Sequence, residues 1–309
     1  GGRGRQRAAN TWERERLLEG MEVWEVDEGE VELEGSLGTG DSGEVFSASW
    51  RGRPVAIKTI HTDIVVMTSV ERERLCRELA ILTNMDHPNV VRIMGLLLPH
   101  RPVRIMMERC DGGNCFDLLH KSDVQLSLSQ KLDISTQVSK AMAYLHWFDP
   151  PIIHRDLNTR NLLLLSPVQG PEDECAVKVT DFGLSRPKPC SSASQPTDHN
   201  LFLSIDVGTL PYMAPDVEHA LYDEKVDVYS YSMILYELIV RQIPFGIDML
   251  QDTASTLRMV RDGERPDLGL VPNDCPTNLV ELMQAGWDKD PAQRPSFPAI
   301  VKVLAKITS

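Results

Sequence analysis

Between residues 31 and 110 the apolar positions fall in short runs of strand length. EVFSASW (44–50) alternates apolar and polar side chains, RGRP (51–54) is turn chemistry and VAIK (55–58) is a short apolar run, which predicts strand, turn, strand. Trp24, Val26, Val31 and Leu33 stand inside an acidic segment and are expected to pack against the first strand. The period then changes: in VERERLCRELAILTNM (70–85) Leu75, Leu79 and Leu82 share one helical face. VVRIMGLL (90–97) and VRIMMERC (103–110) read as two more strands, and Asp111-Gly112-Gly113 as a turn-rich joint. From Gln125 the pattern is mainly helical. Ile134, Val138, Ala141, Met142 and Leu145 form a stripe of core type, and KVDVYSYSMILYELIV (225–240) is the most apolar helix and the expected centre of its domain. There is no internal repeat.

Two short apolar runs carry unexpected polar residues. IIHRDLNTRNLLLL begins at Ile152 and places Asp156 and Asn161 beside strand-like segments; VKVTDFGLSR ends at Arg186 and contains Asp181. Carboxylates set among buried runs are costly unless they meet a cation or do chemistry. SPVQGPEDECA (166–176) between them is rich in Pro, Gly and acid, as an enlarged hairpin loop would be. His154, next to Arg155 and Asp156, is read as holding the loop together rather than transferring protons. Asp227, at the start of the apolar helix, is expected either to cap it or to hold the backbone of that loop.

Gly38, Gly40 and Gly43 fit G-x-G-x-x-G, a pattern in which the missing Cβ lets backbone N–H groups approach phosphates. A dinucleotide-binding turn has the same spacing but opens a helix. Here a strand follows the glycines, so the pattern belongs to a β-hairpin lid, and Lys58 ends the next strand as the basic candidate to meet phosphates. Glu78 sits close to the apolar face of its helix, and a carboxylate aimed inward needs a cation, for which Lys58 is the candidate.

Composition adds bounds. The 309 residues are 42% hydrophobic and 25% charged, enough for one large domain or two lobes. A formal net charge of −13 argues against a duplex nucleic-acid partner but permits a polyanionic ligand where basic groups and a metal are concentrated. The six cysteines show no paired CxxC spacing, which fits reduced thiols better than zinc. No apolar run approaches the roughly 20 residues that span a bilayer. Residues 1–30 are expected to form a flexible leader, and the domain to be cytoplasmic, either by itself or as the intracellular part of a larger protein.

Together, WRGRPVAIK, HPNVV, HRDLNTRNLLL, DFGLSR, GTLPYMAPD, DVYSYSMILYEL and DPAQRPSF resemble a eukaryotic protein kinase in order and spacing. The resemblance is to the tyrosine-kinase-like group, with its Raf-like, LIM and mixed-lineage kinases. It implies an α+β, bilobal protein kinase fold over residues 31–307: a small antiparallel β-rich N-lobe (31–109) with one main helix, and a larger, mainly helical C-lobe (110–307). It also implies ATP and Mg2+ as cofactors, with phosphoryl transfer to a protein hydroxyl. By the same resemblance the catalytic set is Asp156, Lys58, Glu78, Asn161 and Asp181, with Asn161 and Asp181 holding Mg2+. Gly38, Thr39, Gly40, Asp41, Ser42, Gly43 and Glu44 would cover the phosphates. Leu37, Val45, Ala56 and Leu163 would sandwich the adenine, Met107 would face the back of its pocket, and backbone groups of Glu108 and Cys110 would meet its edge.

Arg155 would pair with a phosphorylated residue between Ser191 and Ser204. That points to an upstream activating kinase, or to autophosphorylation in trans, besides the protein substrates. Ser/Thr kinases usually carry Lys where Asn158 stands, and Arg160 is the tyrosine-kinase choice, whereas Gly208-Thr209 and Tyr212-Met213 resemble Ser/Thr-type substrate loops. Ser/Thr specificity is the expectation, with dual-specificity or tyrosine kinase and a pseudokinase scaffold as alternatives. Three departures from the family pattern remain: Asp216 in place of Glu, expected to pair more loosely with Arg294; Ser232 in place of a Gly; and Gly286 in place of a Cys.

Overall fold

The strands form on the short apolar and alternating runs of the sequence. A computed structural model describes residues 26–40, 43–59, 82–97, 104–181, 210–218, 222–246 and 253–308. Its chain contacts divide it into two units, one ending at Arg109 and including Val91–Arg109, the other comprising Pro88–Val90 and the chain from Cys110.

In the first unit, β1 (Val31–Gly40), β2 (Gly43–Trp50), β3 (Arg53–Thr59), β4 (Ile93–Leu97) and β5 (Arg104–Glu108) make an antiparallel sheet of order β1-β2-β3-β5-β4. Trp50 pairs with Arg53 across Arg51-Gly52, whose φ angles of 51° and 74° are those a two-residue hairpin turn demands. One face of the sheet buries Val26, Ala48, Val55, Ile57, Leu97 and Met106, against which Val31 and Trp50 pack. Val26 joins this core through its N–H, which bonds to the Leu96 carbonyl at 2.9 Å. Leu33 does not pack there: β1 is an edge strand, the cluster stops at Val31, and Leu33 is 49% exposed. Trp24 lies outside the described residues.

The second unit is built on helices: α1 (Cys115–His120), α2 (Leu128–His146), α3 (Lys225–Val240), α4 (Thr253–Asp262), α5 (Thr277–Gly286) and α6 (Phe297–Ile307), with one two-stranded ribbon of β6 (Leu162–Leu164) and β7 (Val177–Val179). α2 starts at a capping box in which the Ser127 hydroxyl accepts from the Gln130 N–H and the Gln130 side chain accepts from the Ser127 N–H. Its stripe Ile134, Val138, Ala141, Met142 and Leu145 is fully buried. α3 is buried on every side from Val226 to Ile239, the burial that an all-round apolar helix requires. The 166–176 loop joins β6 to β7 and is tied to α2 by Gln130, whose Nε2 donates to the carbonyls of Gly170 and Asp173, each at 2.9 Å. At Gly112 a Cβ would come within 2.3 Å of the Ser166 carbonyl oxygen, so only glycine admits the close approach of these two backbones.

Candidate active site

The loop that carries Asp156 is tied to α3. Asp227, fully buried, accepts from the N–H of His154 through Oδ2 and from the N–H of Arg155 through Oδ1, both at 2.8 Å, and meets His146 Nε2 at 2.8 Å. Burial pushes its carboxyl up, but His146, His154 and the Arg155 N–H outweigh that and hold it below the ordinary carboxylate range. Of its two expected roles, Asp227 takes the second: the helix N-cap is Glu224, with no side-chain cap bond. His154 is buried, with Nε2 2.9 Å from the Thr180 carbonyl oxygen, which joins the loop to the end of β7.

Asp156 is gripped by amides. Asn161 Nδ2 donates to its carbonyl at 2.7 Å and to Oδ2 at 2.9 Å; Asn158 Nδ2 donates to its carbonyl at 3.0 Å and to Oδ1 at 2.8 Å. A 3-10 turn, Thr159–Asn161, carries Asn161 back toward Asp156, and the Thr180 N–H bonds to the Asn161 carbonyl at 3.0 Å, so Asp181 follows directly from a backbone tied to Asn161. Arg155 and Asp181 have φ of 69° and 62°, left-handed values that non-glycine residues adopt at a cost and that cluster at functional sites. Arg160, two residues beyond Asn158, places its guanidinium carbon 3.5 Å from the centroid of the Phe116 ring on α1.

Pattern reading missed the second tier of this site. Glu237, fully buried on α3, accepts from Thr159 Oγ1 at 3.1 Å and from Tyr212 Oη at 2.6 Å, and meets His120 Nε2 at 2.7 Å. Burial and the neighbouring carboxylate push the Tyr212 hydroxyl well above its usual range, so it stays a donor. The sequence signal was a lone acid in ILYELIV. Asn89, of the His-Pro-Asn motif, was read only as a family mark. Its carbonyl accepts from the Val179 N–H at 2.9 Å, and its Nδ2 donates to Gln137 Oε1 and the Val177 carbonyl. Arg294, buried, forks onto Asp216 at 2.6 and 3.2 Å. The shorter acid does not loosen this pair, because the Asp288 and Lys225 carbonyls fix the guanidinium where the carboxylate can reach it.

In the first unit, Gly38 pairs with Val45, Thr39 with Glu44 and Gly40 with Gly43 across the β1–β2 hairpin, and Gly43 has φ of 136°. A Cβ built on Gly38 meets no atom within 4 Å among the described residues. Leu37 is 54% exposed. Lys58 is buried at 2% exposure, opposite Val45 and Ile105 in the sheet. Ala56 and Met107 are buried and directly paired on β3 and β5. The Glu108 N–H bonds to the Arg92 carbonyl, and its carboxylate accepts from the Arg92 N–H.

In the second unit, Leu163 is half-buried on β6, and Cys110 is partly exposed. Cys175 is buried, which pushes its thiol up to about 11. Asp41, Ser42, Glu78, the Phe and Gly that follow Asp181, and the Ser191–Ser204 segment lie outside the described residues.

This chain belongs to the protein tyrosine and serine/threonine kinase family, whose profile matches residues 31–304. Serine/threonine-protein kinase VIK of Arabidopsis thaliana is 34% identical over 293 residues, which cover 92% of this chain and 62% of that protein. Serine/threonine-protein kinase STY17 of the same plant is 32% identical over 290 residues, 94% of this chain and 46% of that protein. Mitogen-activated protein kinase kinase kinase 7 of Bos taurus is 34% identical over 288 residues, 92% of this chain and 45% of that protein. The chain thus spans less than two thirds of the length of each of these relatives. No helix among the described residues is long and apolar enough to cross a membrane.

Proposed function

We propose that this chain is an ATP-dependent protein kinase that moves the γ-phosphoryl of MgATP onto serine and threonine hydroxyls of protein substrates. The observation that carries the reading is the grip on Asp156: both carboxylate oxygens accept amide hydrogen bonds, in a loop suspended from a buried acid. A carboxylate so fixed is suited to orienting a hydroxyl and taking its proton as that oxygen bonds to phosphorus and the bond to ADP breaks. The names of the plant relatives, both serine/threonine-protein kinases, support the choice of hydroxyl.

The donor set fits a Mg2+ ion. The Asn161 amide nitrogen is committed to Asp156, which leaves Oδ1 as its acceptor atom, and Asp181 adds a carboxylate; both are hard oxygen ligands. The ion, when bound, neutralises phosphate charge. Lys58 binds the phosphate chain, and the residues from Gly38 to Glu44 cover it with backbone N–H groups, a role consistent with the open space that a Cβ on Gly38 would meet among the described residues. Leu37, Val45, Ala56 and Leu163 contact the adenine faces, Met107 its back, and Glu108 and Cys110 backbone its edge. Protein substrates are the partners, together with an upstream activating kinase or a second copy acting by autophosphorylation in trans, and the cytoplasm is the compartment.

The test is transfer of radiolabel from γ-labelled ATP to a generic protein substrate, followed by phosphoamino-acid analysis. Wild type should give labelled serine and threonine, and Asp156→Asn at least ~100-fold less. Equal incorporation by both proteins would reject the kinase reading, and label confined to tyrosine would reject the hydroxyl assignment.

A further inference from the structure

Asn158 stands two residues after Asp156, where the family's Ser/Thr members usually carry a lysine, and it uses both ends of its amide. Oδ1 accepts from the N–H groups of Arg160 at 2.9 Å and Asn161 at 3.2 Å, capping the 3-10 turn. Nδ2 donates to the Asp156 carbonyl and to the Asp156 carboxylate Oδ1. The side chain is 3% exposed. Its orientation is over-determined, since a flipped amide would set its NH2 against two backbone donors and its oxygen against two acceptors.

A turn cap needs only an oxygen, which serine or aspartate supplies as well as asparagine does. Capping therefore does not call for an amide here; the bond to Asp156 does. Asn161 donates to Oδ2, and Asn158 donates to the other oxygen. A second donor on Oδ1 fixes both oxygens.

We propose that Asn158 is a positioning residue that sets the orientation of the Asp156 carboxylate through its amide donor. This rests on the kinase reading above. The consequence is specific: the cap and the donor are separable functions of one side chain, and turnover depends on the donor.

Two substitutions separate them. Asn158→Ser keeps an oxygen for the turn and loses the donor; Asn158→Lys keeps a donor and loses the cap. The Ser variant should melt close to wild type, hold KM for ATP within about two-fold, and lose kcat by about 10- to 100-fold, the scale of one hydrogen bond to a charged group. The Lys variant should melt lower yet turn over faster than the Ser variant. Wild-type kcat in Asn158→Ser, or a folded Asn158→Lys no faster than Asn158→Ser, overturns the positioning role. Asp156→Asn run alongside separates the two claims. If it is as active as wild type, the kinase reading fails and this inference with it; if it is inactive while Asn158→Ser turns over normally, only the inference fails.

Discussion

Asp227 shows how one side chain can organise a loop that its own sequence leaves undetermined. It satisfies two consecutive backbone donors with one carboxylate, a fork that no neutral residue reproduces. Asp227→Ala would strand those N–H groups and the His146 ring, at a cost of about 3–5 kcal/mol in urea unfolding. The Asp216–Arg294 pair follows the same logic. Arg294 is 1% exposed, so Asp216→Ala leaves a buried cation and should cost a similar ~3–5 kcal/mol, whereas Asp216→Glu should bring no rise in Tm, since the fork is already bidentate. Asp216 and Arg294 were legible as partners through the family resemblance. Their tightness was not, because it depends on the Asp288 and Lys225 carbonyls that meet the guanidinium.

At the scale of elements, two oddities of sequence turn out to be one fact. A Cβ on Gly286 in α5 would lie 1.9 Å from the Ser232 hydroxyl oxygen of α3, so the hydroxyl occupies the space that a side chain at 286 would need. Gly286→Ala should cost about 1–3 kcal/mol by overpacking. Ser232→Gly should also destabilise, through helix propensity and the lost bond to the Val228 carbonyl. The double variant should recover part of both losses, and a double-mutant cycle by urea unfolding should give a coupling of about 1 kcal/mol or more. Additive losses would show that the helices adjust independently.

The α2 capping box has a similar double duty, because the same Gln130 also pins the 166–176 loop. Gln130→Ala should cost about 1–2 kcal/mol and speed amide exchange in that loop, read by hydrogen–deuterium exchange. The box is visible as Ser-x-x-Gln in the sequence; its hold on a loop some forty residues away is not.

For the whole molecule, acid stability and nucleotide binding are the integrating measurements. Asp227 is depressed in the folded state, so the stability it contributes is complete above its unfolded value of about 3.9 and is lost as pH falls through the lower folded value. The free-energy gap between wild type and Asp227→Asn should therefore be full at pH 5–7 and shrink as pH drops below about 4, followed by urea titrations at each pH. On the nucleotide reading, ATP with Mg2+ at about 100 times its Kd should stabilise the protein by about 2.7 kcal/mol, and chelation of the metal should remove most of the rise in Tm. No Tm response to either would count against that reading.

Sequence alone determined the strands and helices that the described residues show, which follow from local period, and the family, which follows from the order and spacing of motifs such as His-Arg-Asp and Asp-Phe-Gly. A side chain's apolar or polar character is a property of one position, and periodicity makes it legible over a few residues. Only the tertiary structure decided that Asp227 holds the loop rather than its helix, that Glu237 gathers Thr159, Tyr212 and His120, that Asn158 reaches Asp156, and that Ser232 fits Gly286. Most of these contacts join residues far apart in the chain. Such a contact is fixed by where two backbones meet and by which donors burial leaves to be satisfied, and neither quantity is written in any one stretch of sequence.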